Sequence, residues 1–515
     1  MRNKKQNTIS RRKFVGSFST AAAAFTIVPR NVISGLGYKQ PSDLLNIAAI
    51  GVGNRGSQNL RGIALPDVQD VQAPVRGGRL PYPYTPEQLA DYLAGRPVRN
   101  PDGSIPSFRA MPRMDPAAMR AMEESYGVYT ASGKLVNIYA LCDVETGRLE
   151  YNAKSYPKAK TYQDWRELLE KEKSIDGVLI STPDHTHATI AAHFIRERKH
   201  VYCEKPLTKT ITEARALANL AKEYDVVTQM GNQGHAQEGT RITAEWLQSG
   251  VIGNIREIYL STDRPGWPQG NLPRPEALKV PKNLNWDLWL GPAPDKPYNP
   301  VVVNNWRGLW DYGTGAMGDM GAHIFDAPLW ALNLDYPTKI QATSSPFSKE
   351  FLPQSTWVTY EFAERFTPGV GYMPPVKVIW CDGGLRPPRP SQLESGRAVM
   401  DVTYLGDKGI IMHGSHGQKP ELVPLKENFE GIKPWMPRTK NIYEDWVDAI
   451  KNNRKAVSDF SWGSKVTEIM LLTNIALLTK GSNITLEYDS TNMRVTNLPE
   501  ANDYFHYEYR EGWSL

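Results

Sequence analysis

The sequence predicts an α/β protein whose N-terminal half is a doubly wound parallel sheet. An apolar run at 44–50 leads directly into the glycine pattern Gly51-x-Gly53-x-x-Gly56, and a helical pattern follows. Further apolar runs then alternate with helical patterns, as expected for parallel strands covered by helices. Ligands of such sheets bind at the carboxyl ends of the strands, where these runs end in glycines or polar residues.

Composition is that of an ordinary globular protein and argues against a nucleic-acid-binding protein and against a disulfide-rich protein. A chain of 515 residues is long enough for two domains or more. The 60 basic and 55 acidic residues leave a net charge of +5, so we expect no nucleic-acid partner. The three cysteines form no CxxC pair, and a disulfide framework is not expected.

The N-terminal segment is interpreted as an export signal. Arg11-Arg12 precedes Phe14 and Val15, and the mildly apolar stretch at 16–28 is too short to span a bilayer. The pattern resembles a twin-arginine signal, with a disordered basic tail as the alternative. Such signals carry folded proteins through the twin-arginine translocase. We therefore expect a periplasmic protein, and no later segment is apolar enough for a membrane span.

The glycine pattern predicts a cradle for the phosphates of a dinucleotide. Gly51 would make the tight turn, Gly53 would let the backbone approach the pyrophosphate, and Gly56 would pack the helix on the strand. The phosphates would then meet amides at the start of this helix, beside Asn54 and Arg55. An ordinary glycine loop is the alternative.

The acidic residue that usually follows such a turn after about 20 residues is displaced by an insertion. Residues 65–133 are rich in Pro, Gly and Arg, with helical patterns at 86–93 and 116–126. The strand at 136–142 then ends at Asp143. Asp143 would accept hydrogen bonds from the ribose hydroxyls and repel a 2′-phosphate, which favours NAD over NADP. A helix cap is the alternative.

Four motifs together resemble the Gfo/Idh/MocA family of oxidoreductases, named after glucose–fructose oxidoreductase and inositol dehydrogenase. They are the glycine pattern, Ser181-Thr182-Pro183-x-x-x-His187, Glu204-Lys205-Pro206 and the run GDMGAHIFD at 318–326. The resemblance spans about 44–480 and implies a nicotinamide cofactor. The candidate cofactor contacts are Gly51, Gly53, Asn54, Arg55, Gly56, Asp143, Ser181, Thr182, Pro183, His187 and Glu204.

The resemblance also implies the domain organisation. After a signal and linker at 1–40, a Rossmann domain at 41–234 would precede a C-terminal α/β domain at 235–485 and a tail at 486–515. The second domain would hold a large, mostly antiparallel sheet, whose open face commonly forms a homodimer or homotetramer. We expect its strands at 255–262, 338–345, 355–362, 376–381, 400–405 and 409–412, and helices that pack back on the first domain at 441–452 and 462–479.

Hydride removal from a secondary alcohol needs a base for the hydroxyl proton and a donor for the developing alkoxide. Lys205 is a candidate for either role, with a surface lysine as the alternative; the family often has a cis bond before Pro206. Asp319 and His323 share a face if 319–330 is a helix. By resemblance, His323 would be the general base and Asp319 its partner or an acceptor for a substrate hydroxyl. A capping Asp319 beside a buried His323 is the alternative.

Aromatic loops depart from the family pattern and leave the substrate open. Arg307 could clamp a substrate hydroxyl or carboxylate, and Trp306 and Trp267 could stack on a sugar ring, with core packing as the alternative. We expect no metal site, because the chain has no HExxH motif and His185 and His187 lie on another loop.

These residues predict an NAD(P)-dependent oxidoreductase that acts on a secondary hydroxyl of a sugar or glycoside, such as the hydroxyl at C3. The cofactor would be held tightly, because free nicotinamide cofactor is scarce outside the cytoplasm. Two alternatives stay open. An NAD-dependent glycosidase or epimerase would use transient oxidation, and a non-catalytic sugar-binding protein would have the same fold.

Overall fold

The computed structural model describes residues 44–65, 67, 85–94, 96, 98–99, 135–367, 371–423, 431–479 and 483–515. Leu45–Leu515 forms one compact unit with two large sheets. The predicted export signal at 1–40 and the helical pattern at 116–126 lie outside the described residues. The predicted domain boundaries stay predictions.

The first sheet is parallel throughout and confirms the predicted doubly wound arrangement. Its strands are β1 (Asn46–Ile50), β2 (Asn137–Cys142), β3 (Lys160–Tyr162), β4 (Gly177–Ile180), β5 (His200–Cys203) and β6 (Thr228–Met230). Their spatial order is β3-β2-β1-β4-β5-β6. The order reverses between β1 and β4, and a crevice for a ligand forms at that point in sheets of this kind.

Helices follow the strands of this sheet in alternation. They are α1 (Asn54–Ile63), α2 (Pro86–Leu93), α3 (Thr146–Ser155), α4 (Trp165–Lys171), α5 (Asp184–Arg196), α6 (Ile211–Glu223) and α7 (Glu238–Gln248), with a 3₁₀ turn at Gln233–Ala236. Helix α2 lies in the predicted insertion and begins with a capping box between Thr85 and Gln88. Asn299 Nδ2 donates to the Leu93 carbonyl (3.3 Å), so this helix contacts the C-terminal half.

The second sheet has nine strands and confirms the predicted C-terminal α/β architecture. Its members are β7 (Ile255–Ser261), β8 (Lys339–Ser344), β9 (Thr356–Phe362), β12 (Val376–Cys381), β13 (Val402–Gly406), β14 (Gly409–His413), β15 (Glu421–Val423), β16 (Thr485–Asp489) and β17 (Arg494–Val495); β10 (Arg365–Thr367) and β11 (Gly371–Met373) pair separately. The spatial order is β15-β14-β13-β7-β12-β9-β8-β16-β17. Only the β7–β12 pair of this sheet is parallel among the described strands.

Helices of the C-terminal half connect the two sheets. They are α8 (Trp286–Leu290), α9 (Pro300–Asn305), α10 (Ala322–Ile324), α11 (Asp326–Ala331), α12 (Ile442–Asn452) and α13 (Phe460–Leu478), with a 3₁₀ turn at Trp306–Gly308 and a π-helical turn at Met317–Gly321. As expected, α12 and α13 pack on the first half. Tyr443 Oη donates to Asn59 Oδ1 (2.7 Å), and the Leu207 amide donates to Thr467 Oγ1 (3.1 Å).

The segment predicted as a tail, 486–515, is structured. It contains most of β16, all of β17 and a 3₁₀ turn at Pro499–Tyr504. Residues 506–515, called the C-terminal strap below, then run back over the first half, where Tyr509 Oη donates to Glu213 Oε1 (2.6 Å). Across the described ranges, no helix is long and apolar enough to cross a membrane.

Candidate active site and cofactor cavity

A cavity of about 1300 Å³, partly open to solvent, lies at the carboxyl ends of the first sheet. The glycine turn and the loops after β2, β4 and β5 form one wall, and the segment 284–307 forms the other. The predicted site residues that line it are Gly51, Gly53, Asn54, Arg55, Asp143, Ser181, Thr182, Pro183, Glu204, Lys205, Trp306 and Arg307. The structure thus brings together residues from four strand ends.

The glycine turn has the geometry of a phosphate cradle. Gly51 has φ +77° and crosses so close to β4 that an added Cβ would lie 2.8 Å from the Ser181 carbonyl carbon. A Cβ on Gly56 would lie 1.9 Å from the Gly51 carbonyl oxygen, so this glycine packs α1 against the turn. Helix α1 has no side-chain cap, so its first amides are available to an anion. These features fit the pyrophosphate of a dinucleotide.

Asp143 lies at the predicted place but is also bonded to the backbone. Its Oδ2 accepts from the Val52 amide (2.9 Å) and its Oδ1 from the Glu145 amide (3.0 Å). Burial raises the pKa of Asp143, and the nearby Arg148 opposes that rise. Each oxygen keeps a second lone pair for a ribose hydroxyl. The carboxylate therefore positions the glycine turn and can still face the cofactor.

Glu145 and Arg148 also line this end of the cavity, and neither was predicted from the sequence. Arg148 pairs with Glu145 and lies over the glycine turn, where a Cβ on Gly53 would be 2.6 Å from its Nη1. Glu145 was predictable in principle, because it is an acidic residue only two positions after Asp143 at the same strand end. Arg148 was not predictable, because the packing of α3 brings it to the turn.

Lys205 connects the cavity to the second half of the chain. It lines the cavity, and its Nζ donates to the carbonyl oxygen (2.5 Å) and Oδ1 (3.0 Å) of Asp319. The Lys205–Pro206 bond is cis, as the family resemblance implied. The preceding Glu204 accepts from Arg55 Nε (2.8 Å) and fixes the strand end to α1.

Asp319 is surrounded by cations. Besides Lys205, Arg307 Nε lies 3.2 Å from Oδ1 and Arg264 Nε lies 3.9 Å from Oδ2. Burial disfavours the charged carboxylate, but Lys205, Arg307 and Arg264 outweigh burial and hold the pKa of Asp319 below its usual range. Asp319 is therefore an ionised side chain at neutral pH.

His323 is not arranged as predicted. The expected helix is interrupted, because the π-helical turn at Met317–Gly321 places Asp319 against Lys205. His323 instead stacks on His416, with ring centroids 4.1 Å apart, and its Nδ1 is buried without a hydrogen-bond partner among the described residues. Burial lowers the pKa of His323 well below 6.5, and His416, Lys205 and Arg55 add to this effect. Both rings are neutral, since burial lowers the pKa of His416 to about 3.

His187 lies behind the cavity and does not line it. It is buried, with Nδ1 2.9 Å from the Pro206 carbonyl and Nε2 2.9 Å from the Thr182 carbonyl. The ring links the loops after β4 and β5, which both line the cavity. Its place is structural, in contrast to the predicted cofactor contact.

The predicted aromatic residues form two platforms for arginines. The Arg307 guanidinium carbon lies 4.2 Å from the Trp306 ring centroid, and that of Arg264 lies 5.7 Å from the ring centroid of Trp267. The described residues contain no group of His, Cys, Asp and Glu side chains that could hold a metal ion.

Comparison with protein families matches the two halves separately. Residues 119–232 match the NAD-binding Rossmann fold of the Gfo/Idh/MocA oxidoreductase family, and residues 269–365 match the C-terminal α/β domain of the same family.

Individual relatives are distant. Myo-inositol 2-dehydrogenase of Thermotoga maritima is 27% identical over 131 residues, which are 25% of this chain and 39% of that enzyme. Levoglucosan dehydrogenase of Pseudarthrobacter phenanthrenivorans is 26% identical over 167 residues, 32% of this chain and 34% of that enzyme. The chain thus aligns with about two-fifths or less of these two enzymes. The crystal structure of the WlbA dehydrogenase from Bordetella pertussis with NADH and UDP-GlcNAcA has the same fold (TM-score 0.51, 12% identity, 87% of this chain, 99% of that chain).

Proposed function

We propose that this chain, which belongs to the Gfo/Idh/MocA family of NAD-dependent oxidoreductases, oxidises a secondary hydroxyl of a sugar or glycoside. The observation that carries this proposal is the position of Lys205. Its side chain lines the cavity that contains the glycine turn, and its Nζ reaches Asp319 on the other half of the chain. A substrate held beside Asp319 would therefore be next to the cofactor cavity.

NAD, when bound, accepts a hydride from the carbon that carries the hydroxyl. The chain must take the hydroxyl proton and stabilise the developing negative oxygen. Lys205 carries N–H donors for that oxygen. We assign the proton to His323, whose neutral ring lies near Lys205 and whose Nδ1 has no hydrogen-bond partner among the described residues. Asp143 and Glu145 at the ribose end disfavour a 2′-phosphate, which supports NAD over NADP.

The names of the relatives support a polyol or sugar substrate. The two aligned dehydrogenases are named for myo-inositol and levoglucosan, and the WlbA structure was solved with a nucleotide sugar. The tryptophan platforms add apolar surface of the kind on which sugar rings stack.

We propose that the protein works in the periplasm after export by the twin-arginine translocase, with its cofactor retained. The pair Arg11-Arg12 supports export. The C-terminal strap supports retention, because the Arg510 amide donates to the Pro292 carbonyl (3.0 Å) and its guanidinium donates to the Asp287 carbonyl (2.9 Å). These contacts hold α8, whose Leu288 and Trp289 line the cavity.

Purified exported protein is expected to release near-stoichiometric NAD(H) on denaturation, identified by mass and absorbance. Arg510→Ala should release the nucleotide about tenfold faster, since hydrogen bonds of a charged group are worth about 1.5–3 kcal/mol. Dissociation is followed by the loss of NADH fluorescence after dilution. The exposed Arg494→Ala is the matched control and should release at the wild-type rate. A protein that contains no nucleotide and binds none would refute the oxidoreductase proposal.

His416→Gln is expected to move the acid limb of the kcat/KM profile to higher pH. The His416 ring covers His323, so its removal weakens the burial that lowers the pKa of His323. In the wild type the base stays unprotonated below pH 6.5, and in the variant it is protonated closer to pH 6.5. NADH formation is measured across pH, with His193→Gln on α5 as control. Coincident acid limbs in wild type and variant would show that His323 is not the base.

We also propose a homodimer or homotetramer formed through the open face of the second sheet. Along β9, Val358 and Tyr360 are buried on one face, whereas Trp357 and Thr359 are only partly buried on the other. The partly buried Trp357 on this face offers apolar surface that a second subunit could cover.

A further inference from the structure

Resting on the proposed function, the geometry points to a sugar that carries a carboxylate as the substrate class of this site. Lys205, Arg307 and Arg264 converge on the single carboxylate of Asp319, at 3.0, 3.2 and 3.9 Å. One carboxylate balances one of these three cations. The arrangement leaves positive charge beside the position where the substrate would bind.

The surrounding ionisable groups do not neutralise the excess positive charge around Asp319. Glu204 is paired with Arg55 at 2.8 Å, and the stacked histidines are neutral. Asp184 accepts from Thr314 Oγ1 (2.6 Å). Burial raises the pKa of Asp184, which disfavours its charged form. The charges of His187, Arg307 and Lys205 partly offset that rise. Of Glu204 and Asp184, at most Asp184 adds a further negative charge against the cations.

The two arginines are accessible to a ligand. Arg264 and Arg307 keep 51% and 36% of their side chains exposed, against 11% for Lys205. Within the described part of the chain, neither guanidinium donates a hydrogen bond to another residue. Each Nε faces Asp319 as an ion pair, and the terminal Nη donors are therefore available to an incoming group.

The tryptophans orient the two guanidinium groups. Each arginine lies over an indole ring, and a Cβ on Gly308 would be 3.0 Å from Trp267 Cδ1, so the two platforms adjoin. A planar guanidinium held on a ring recognises a carboxylate through two parallel hydrogen bonds. A neutral hydroxymethyl group in the same position would leave the excess positive charge of this cluster without a counter-charge.

The experiment compares matched sugars on the holoenzyme. Methyl glycosides of glucuronate, galacturonate and mannuronate are tested against those of glucose, galactose and mannose, as substrates by NADH formation and as ligands by calorimetry. We expect at least one acid to be preferred over its neutral partner by about tenfold or more in kcat/KM and Kd, with the preference shrinking as salt rises. Arg264→Gln and Arg307→Gln should each reduce that preference through KM, whereas the sheet-edge variant Arg494→Gln should keep it.

The outcomes separate this inference from the proposed function. Equal binding and turnover of each acid and its neutral partner, or an acid preference that both arginine variants retain, would overturn the substrate class while leaving the oxidoreductase intact. Absence of bound NAD(H) would overturn the proposed function. The nucleotide assay measures it independently of the sugar comparison. Calorimetry still compares acid and neutral sugars in that case, so the substrate class is tested either way.

Discussion

Lys205→Met is expected to lower kcat by about a hundred- to ten-thousandfold, the range found when a positioned acid or base is removed. Methionine keeps the length of the side chain but cannot donate to the developing alkoxide. It also leaves Asp319 with Arg307 and Arg264 as its only nearby cations among the described residues. The rate is measured as NADH formation in single-turnover experiments with a sugar substrate.

Nucleotide content distinguishes a catalytic effect from a folding effect. The Lys205→Met protein should still contain NAD(H), because the glycine turn and Asp143 are unchanged. Lys222→Met, on the exposed side of α6, is the matched control and should react at the wild-type rate. A Lys205→Met protein with full cofactor content and wild-type turnover would contradict the role given to this lysine.

Gly56→Ala is expected to remove cofactor binding and to lower the free energy of unfolding by about 1–3 kcal/mol or more. The new Cβ would lie 1.9 Å from the Gly51 carbonyl oxygen, which is backbone and cannot turn aside. Helix α1 must then move away from the turn, and its amides leave the phosphate position. Denaturant unfolding and nucleotide content after purification measure the two effects.

Gly147→Ala is the matched control for this substitution. Gly147 lies in the first turn of α3, and a Cβ there would meet only ordinary contacts at 3.9 Å and 4.0 Å. We expect unchanged nucleotide content and unfolding free energy equal to or above wild type, because alanine is the better helix former. If Gly56→Ala behaved like Gly147→Ala, the close packing of α1 on the turn would be disproved.

Local patterns were enough to predict most of the fold. The glycine turn, Asp143 and Lys205 directly follow apolar strands, and parallel strands place their carboxyl ends at one edge. The family resemblance added the second sheet, and the strands expected with it lie close to the observed bounds of β7, β8, β9, β12, β13 and β14. Strands β15 and β17 were missed, because three and two residues are too few for alternation to distinguish a strand from a loop. Strand β16 was missed because it lies almost entirely in the segment expected to be a tail.

The pairing of Asp319 with His323, one of the two roles expected for this carboxylate, is not formed, and the reason is physical. An i, i+4 spacing implies a shared face only in a regular α-helix, and a π-helical turn changes the residue spacing at this point. Lys205 then competes for the carboxylate more strongly than a neutral imidazole can. The partner of His323 is His416, on the loop after β14, and no local pattern connected the two.

The sequence, then, was sufficient for the fold class, the cofactor edge of the first sheet and the lysine at that edge, because each depends on neighbours along the chain. The tertiary structure alone decided which residues from the second half close the cavity, which cations surround Asp319 and where the C-terminal strap lies. Those arrangements depend on contacts between residues more than 100 positions apart, such as Lys205 with Asp319 and Arg510 with Asp287. Packing of the two sheets and their helices sets such distances, and no periodicity along the chain records them.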